Sequence, residues 1–172
     1  MAEITARKSL SGRNVFTMEI KIEKTKTPKA KPVDETKLGF GHIFTDHMFV
    51  MEYDTGKGWH DARIVPYGDI SISPAAMVLH YGQEIFEGMK AYRTPDGSIQ
   101  FFRPEENFKR MNISAERLVI PQLNVDDCLQ ALHELVKIDA DWVPHTDGAS
   151  LYIRPFIFAA DPFLGVRPGD KY

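Results

Sequence analysis

Residues 89–103, MKAYRTPDGSIQFFR, decide the fold class of this chain. The turn sequence TPDG at positions 94–97 separates two short segments rich in aromatic and apolar residues, a pattern typical of a β-hairpin. Pro104 follows the second segment and is suited to end a strand and to occupy the first turn of a helix. The stretch therefore predicts antiparallel strands that lead directly into a helix.

The residues before this hairpin predict a second hairpin and a helix. The apolar segments 47–53 and 62–66 flank a turn at Gly56–Gly58 and are strand candidates. Ser73 and Pro74 form a typical helix start, and apolar residues at 78, 81, 85 and 86 share one helical face. We therefore expect a helix of about fourteen residues that ends at Gly88 as its C-cap.

The residues after the hairpin predict two further helices and a buried strand. The first helix starts at Pro104 and presents a core-facing stripe at positions 108, 111, 115 and 118, and Asn124 is a suitable N-cap for the second. Residues 150–160, SLYIRPFIFAA, have the composition of one buried strand. Together these segments predict an α+β fold, a mainly antiparallel sheet with helices packed on one face.

Composition limits the classes of function. Lys and Arg number 21 against 24 Asp and Glu, for a net charge of -3, so the chain has no general attraction to nucleic acid or to an anionic membrane. No apolar run is long enough to span a bilayer, so no membrane partner is expected. The single cysteine, Cys128, excludes an intramolecular disulfide and favours a reducing compartment, which makes the cytoplasm the expected location.

Composition and hydrophobic periodicity divide the chain into four parts. Residues 1–17 are polar and basic without periodicity, and we interpret them as a leader or an alternative-start extension that is disordered. Residues 18–37 are charged and contain proline, which is typical of an extended arm. Residues 38–166 form the predicted small α+β domain, and residues 167–172 begin an interdomain linker.

Two arginines are candidates for anion binding. Arg103 directly precedes a predicted helix N-terminus, where its guanidinium and free backbone N–H groups could address a phosphate, although Glu105 or Glu106 could also pair with it. Arg154 lies two positions after Tyr152 in a strand, so both side chains point to one face. Its partner is either a structural carboxylate or an acidic substrate.

The other polar and reactive residues carry weaker signals. Tyr81 and Phe86 fit aromatic core positions as well as a site, and the six histidines lack the spacing of metal ligands, so no metal site is predicted. The chain contains no glycine-rich phosphate loop of the common types. Cys128 lies in the middle of a predicted helix at a buried position, where a thiol is unreactive.

Four blocks of sequence, in this order and spacing, carry a resemblance to a known family. They are FGHIFTDHMFVMEY at 40–53, LHYGQEIFEGMKAYR at 79–93, IQFFRPEENFKRMNISAERL at 99–118 and SLYIRPFIFAADPFLGV at 150–166. Together they resemble the small domain of branched-chain amino-acid aminotransferases, which are pyridoxal-phosphate enzymes of fold type IV. The combination of FEGMKAY, FRP and YIRP is the most discriminating part of the match.

The resemblance implies a cofactor, substrates and site residues. Arg103 matches the arginine that binds the phosphate of pyridoxal 5'-phosphate, and Arg154 matches an arginine linked to the side-chain carboxylate of glutamate. Positions that line the substrate pocket, some of them across a homodimer interface, match Phe40, Tyr81, Phe86, Tyr152 and Val166. The implied reaction is reversible amino transfer between leucine, isoleucine or valine and 2-oxoglutarate, with the corresponding 2-oxo acids and glutamate as products.

One departure from the family qualifies this expectation. In the family the catalytic Schiff-base lysine lies in the C-terminal domain, and no lysine of residues 1–172 occupies that motif, so the isolated chain is predicted to be inactive. Two alternatives remain open. The chain could belong to another fold type IV enzyme, such as a D-amino-acid aminotransferase or an aminodeoxychorismate lyase, or it could be a non-catalytic assembly module.

Overall fold

The structure is a computed structural model that describes residues 18–172. The predicted leader at 1–17 lies outside the described residues. The strands in this part of the chain are β1 (Lys21–Ile22), β2 (His47–Asp54), β3 (Gly58–Pro66), β4 (Glu84–Phe86), β5 (Met89–Arg93), β6 (Ile99–Phe101), β7 (Leu151–Ile153) and β8 (Phe156–Phe158). The α-helices are α1 (Met77–Tyr81), α2 (Pro104–Arg117) and α3 (Val125–Ile138), with short 3-10 turns at Glu35–Lys37 and Ala140–Trp142.

The strands form three small sheets with the orders β1-β3-β2, β4-β8 and β6-β5-β7. All of these pairs are antiparallel except the short parallel pair of β1 with β3. The expected α+β class with mainly antiparallel pairing is therefore confirmed. Among residues 18–172, none of the helices has both the length and the apolar composition that a membrane span requires.

The two long helices begin where the sequence predicts. Pro104 is the first residue of α2, and the Asn124 side chain caps α3 by accepting hydrogen bonds from the N–H groups of Asp126 and Asp127. Both helices bury one face in the core, through Phe108, Met111 and Ala115 of α2 and Cys128, Ala131, Leu132 and Val136 of α3. The prediction that Leu118 belongs to the buried stripe is wrong, because Leu118 lies at the C-cap and is exposed.

The helix predicted from Ser73 to Gly88 is wrong. Helix α1 ends at Tyr81, and Gly82 is its C-cap, with φ 62° and an N–H that donates to the Val78 carbonyl. The chain then continues as β4, which pairs with β8. The apolar residues 81 and 86 fit a helical spacing, but both are exposed, so their spacing did not mark a face buried in this core.

The predicted strand at 150–160 is two strands rather than one. Strand β7 pairs with β5, whereas β8 pairs with β4 in a different sheet. The Arg154-Pro155 dipeptide separates them, and Pro155 has no N–H to contribute to a sheet. Arg154 therefore lies at the corner where the chain passes from one sheet to the other.

The N-terminal arm is extended and lies against the rest of the domain. The Thr25 N–H donates to Nε2 of His47 at 2.9 Å, and the Lys29 N–H donates to Oδ1 of Asp46 at 2.9 Å. Asp46 and His47 are both buried, and His47 also contacts the Asp139 carboxylate through Nδ1 at 2.7 Å. The beginning of β2 thus joins the arm to the end of α3.

The end of the described chain also packs on the domain. Lys171 forms an isolated bridge with Asp54, and Tyr172 exchanges backbone hydrogen bonds with Tyr53. Tyr172 is buried in the hydrophobic core. Residues 171–172 are therefore packed against the folded domain.

Candidate functional site

The guanidinium of Arg154 lies against aromatic rings. Its Cζ is 4.1 Å from the centroid of the Phe86 ring and 5.4 Å from that of Tyr152, and its Nε donates to the Tyr152 hydroxyl at 3.2 Å. No carboxylate of residues 18–172 lies within 4.0 Å of this guanidinium. The alternative of a structural carboxylate partner therefore finds no support in the described part of the chain.

Tyr152 connects this arginine to Phe40 and to a glycine. The rings of Tyr152 and Phe40 meet edge to face with 5.0 Å between centroids. A Cβ on Gly88 would overlap the Tyr152 hydroxyl and lie 2.9 Å from its Cζ, so only glycine leaves room for this side chain. The interpretation of Gly88 as a helix C-cap is wrong, because its function in the structure is this close approach.

A buried carboxylate holds the turn between Phe86 and Gly88. Glu87 is 7% exposed, and its carboxylate accepts hydrogen bonds from Arg110 Nε at 2.5 Å and Nη2 at 2.7 Å, from Asn107 Nδ2 at 3.1 Å and from the Gly88 N–H at 3.1 Å. Asn107 Nδ2 also donates to the Gly88 carbonyl at 3.0 Å. The Arg110 guanidinium lowers the pKa of Glu87 despite its burial.

Sequence reasoning missed this network of Glu87, Asn107 and Arg110. A signal was present in the sequence, because Ile85, Met89 and Ala91 are apolar and alternate with the positions between them, which is the period of a strand and not of a helix. Glu87 stands in the same alternating row, and the structure buries it. A glutamate at a buried position of such a pattern requires a cationic partner. The sequence alone does not identify that partner on a helix about twenty positions later.

Arg103 lies at the N-terminus of α2 with its side chain in solvent. It is the N-cap residue, with φ 47° and ψ 51°, and no side chain caps the helix. Its guanidinium is 3.9 Å from Oε1 of Glu106, which makes a weak surface ion pair, and the side chain is 64% exposed. A mostly free guanidinium beside an uncapped helix N-terminus fits a phosphate group.

Tyr81 and Val166 make none of the described aromatic contacts or hydrogen bonds with the residues around Arg154. Tyr81 is half-exposed at the end of α1, and its ring lies 6.3 Å from that of His80. Val166 is 93% exposed in a segment whose end is held by the buried Asp161 carboxylate, which accepts from the N–H groups of Asp170 and Lys171 at 2.8 Å. Within residues 18–172, no aromatic contact, hydrogen bond or ion pair joins Tyr81, Val166 or Arg103 to the cluster.

The structure thus gathers part of the predicted site. The four residues that contact one another, here called the aromatic-arginine cluster, are Phe40, Phe86, Tyr152 and Arg154. Phe40 and Phe86 are exposed, so the cluster forms an open surface.

Burial raises the pKa of the Cys128 thiol to about 12, so this cysteine is not a nucleophile.

No protein-family model matches the chain. It is 54% identical over 153 residues to branched-chain-amino-acid aminotransferase 2 of Bacillus subtilis strain 168, covering 89% of this chain and 42% of that protein. It is 48% identical over 163 residues to a branched-chain-amino-acid aminotransferase of Mycolicibacterium smegmatis, covering 92% of this chain and 44% of that protein. The chain thus spans about two-fifths of the length of these relatives.

Solved structures with a similar fold have related names. The chain superposes with a TM-score of 0.51 and 26% identity on a branched-chain amino acid aminotransferase of Escherichia coli, covering 70% of this chain and 36% of that one. A T.th. branched-chain amino acid aminotransferase complexed with N-(5'-phosphopyridoxyl)-L-glutamate matches with a TM-score of 0.50 and 31% identity, covering 69% and 36%. Each similarity extends over the fold and not over a single motif.

Proposed function

Because this chain belongs with the branched-chain amino-acid aminotransferases by its similarity over 89% of its length, we propose that it forms the small domain of such an enzyme. The whole enzyme would exchange an amino group between leucine, isoleucine or valine and 2-oxoglutarate, with pyridoxal 5'-phosphate as cofactor, and would work as a cytoplasmic homodimer. Residues 1–172 alone are proposed to be inactive, because in enzymes of this family the lysine that attaches the cofactor lies in the C-terminal domain.

The observation that carries the proposal is the free charge of Arg154 within an aromatic cluster. An exposed cation held by rings and one hydroxyl, with no described carboxylate within 4.0 Å, remains available to an anionic ligand. The related T.th. enzyme is named as a complex with a phosphopyridoxyl glutamate. We propose that Arg154 binds the side-chain carboxylate of glutamate or 2-oxoglutarate.

The same cluster suits the apolar substrates. When leucine, isoleucine or valine is bound, the faces of Phe40 and Tyr152 offer apolar surface, and Arg154 rests on the Phe86 ring. A cation over a ring face is stabilised by the negative electrostatic potential of that face, so Arg154 does not require an anion in this state. One pocket therefore accepts both a charged and an apolar side chain.

Arg103 is proposed to bind the cofactor phosphate. Its guanidinium is free of a strong partner, and the two Nη groups suit bidentate binding of phosphate oxygens. Pyridoxal phosphate, when bound, supplies the electron sink for amino transfer. The contribution of this chain is to hold the phosphate end and to shape the substrate side of the site. Tyr81 and Val166 are proposed to complete the pocket when the other domain and a second subunit are present.

The test compares residues 1–172 with the complete reading frame that contains them. Each protein is incubated with pyridoxal phosphate and assayed for transfer from L-leucine to 2-oxoglutarate, with D-alanine as a second donor. We expect leucine transfer by the longer protein and none by residues 1–172. Transfer from D-alanine but not leucine would favour a D-amino-acid aminotransferase, and turnover by residues 1–172 would contradict their proposed inactivity. A reading frame with no second domain would favour an assembly module.

A further inference from the structure

The turn that carries Phe86 and Gly88 is held by helix α2 and not by its own strands alone. The Glu87 carboxylate forms an ion pair with Arg110, from which it accepts two hydrogen bonds, and it accepts a third from Asn107. The Asn107 side chain also donates to the Gly88 carbonyl. Paired donors from a guanidinium fix a carboxylate in direction as well as in distance. The backbone of the turn is thus fixed on both sides of the glutamate.

Of the two neighbours of Glu87, Phe86 belongs to the aromatic-arginine cluster and Gly88 lies against its Tyr152. Phe86 precedes it and supports the Arg154 guanidinium at 4.1 Å. Gly88 follows it and leaves the space that the Tyr152 hydroxyl occupies, and this hydroxyl accepts the hydrogen bond from Arg154 Nε. A displacement of the turn would therefore move both supports of Arg154 at once.

Glu87 itself makes no contact with Arg154. Its side chain is buried and directed to α2, whereas Arg154 is exposed on the side of Phe86 and Tyr152. The carboxylate is fully engaged with Arg110, Asn107 and the Gly88 N–H, so it has no free position for a substrate. An effect of Glu87 on substrate choice must therefore act through its two neighbours.

We propose that Glu87 is a positioning residue that, through its ion pair with Arg110, sets the place of Arg154 and so the preference of the pocket for a dicarboxylate substrate. The inference rests on the proposed function, because it assigns Arg154 to the glutamate carboxylate. A binding group misplaced by about an ångström loses much of its effect. Weakening the Glu87–Arg110 pair should therefore reduce glutamate use more than leucine use.

The experiment uses the variants Glu87→Gln and Arg110→Gln in the complete protein and in this chain. Arg110 has a 63% exposed side chain, so its replacement keeps the test valid if Glu87→Gln fails to fold. The matched controls are Glu116→Gln and Arg117→Gln, exposed residues of α2 that have no side-chain partner among the contacts of residues 18–172. The readouts are kcat and KM for glutamate and for leucine, and the NMR chemical shift of the Arg154 Nε–H in this chain.

We expect the two test variants to raise KM for glutamate about tenfold, in line with the loss of one well-placed charged contact, and to leave kcat and KM for leucine within twofold. The Arg154 Nε–H signal should lose the ring-current shift that the Phe86 face produces. Equal losses for both substrates, or an unchanged Arg154 signal, would overturn the inference. If the complete protein transfers no amino group at all, the proposed function fails, while the NMR signal still decides whether Glu87 positions Arg154.

Discussion

Gly88 lies directly against the hydroxyl of Tyr152, so that a single methyl group on the glycine would occupy the place of the tyrosine oxygen. The two residues belong to different parts of the chain, since Gly88 precedes β5 and Tyr152 lies in β7. Strands β5 and β7 pair through Lys90 and Tyr152, which brings the tyrosine ring back over the turn. The register of β5 with β7 therefore determines where Tyr152 lies in the aromatic-arginine cluster.

The variant Gly88→Ala should destabilise the fold and displace Tyr152. We expect a loss of about 1–3 kcal/mol in the free energy of unfolding, as for other overpacked positions, measured by urea denaturation. Gly68→Ala is the control, since a Cβ there meets no atom within 4 Å. Adding Tyr152→Phe removes the overlapping oxygen and should restore part of the loss. A full loss in the double variant would show that the hydroxyl is not the obstacle.

The variant Arg154→Gln should change substrate preference in the complete protein. Because a hydrogen bond to a charged group contributes about 1.5–3 kcal/mol, kcat/KM for glutamate should fall by about 10- to 100-fold, with a much smaller effect on leucine. The control is Arg117→Gln, an exposed arginine on α2 away from the cluster. Steady-state kinetics with both donors measure the difference, and a parallel decline would remove Arg154 from carboxylate recognition.

The variant Arg103→Ala should weaken the binding of pyridoxal phosphate to the complete protein. The loss of one guanidinium contact to phosphate should raise Kd about tenfold, which corresponds to about 1.4 kcal/mol. Equilibrium dialysis against pyridoxal phosphate gives Kd directly. Arg117→Ala serves as the control for loss of positive charge on the same helix. An unchanged Kd for Arg103→Ala would place the phosphate elsewhere.

Asp46 should make the stability of the domain sensitive to acid. Burial raises the pKa of this carboxylate, but hydrogen bonds from the Lys29 N–H, Trp142 Nε1 and Lys31 outweigh burial and lower the pKa to about 2 from its ordinary value of 3.8. A group with a lowered folded-state pKa stabilises the fold above the unfolded pKa and loses that effect as the pH falls through the folded value. The stabilisation is therefore complete above about pH 4 and disappears toward pH 2.

The measurement compares this chain with Asp46→Asn by urea denaturation at several pH values. We expect the deficit of Asp46→Asn to shrink by about 2 kcal/mol between pH 6 and pH 2, the free energy that matches the pKa difference. Asp69→Asn, at an exposed position, should show little change across this range. A deficit of Asp46→Asn that does not depend on pH would mean that the side chain acts by shape and not by charge.

The elements with strong local signals could be predicted from the sequence. Asp96 and Gly97 specify the turn between β5 and β6, and Pro104 and Asn124 mark the starts of α2 and α3. These features depend on residues that are close together in the chain. For the same reason the predicted starts of α2 and α3 agree with the structure.

The elements that depend on distant partners could not be predicted. Strand β4 exists because β8 pairs with it, and Gly82 ends the preceding helix after only five residues. The site shows the same limit. The sequence predicts that Tyr152 and Arg154 share a face, and they are hydrogen-bonded although Arg154 lies just beyond β7. The contact of Arg154 with Phe86 and the bond of Glu87 to Arg110 require the tertiary fold.

The attachment of the N-terminal arm to Asp46 and His47 affects what counts as the smallest independently folding unit. These buried side chains accept hydrogen bonds from the backbone N–H groups of Thr25 and Lys29 and not from water. A polypeptide shortened to begin at Leu38 would leave an imidazole nitrogen and a carboxylate oxygen without those donors, at a cost typical of unsatisfied polar groups. The residues that look most dispensable by composition are thus expected to contribute to the stability of the folded domain.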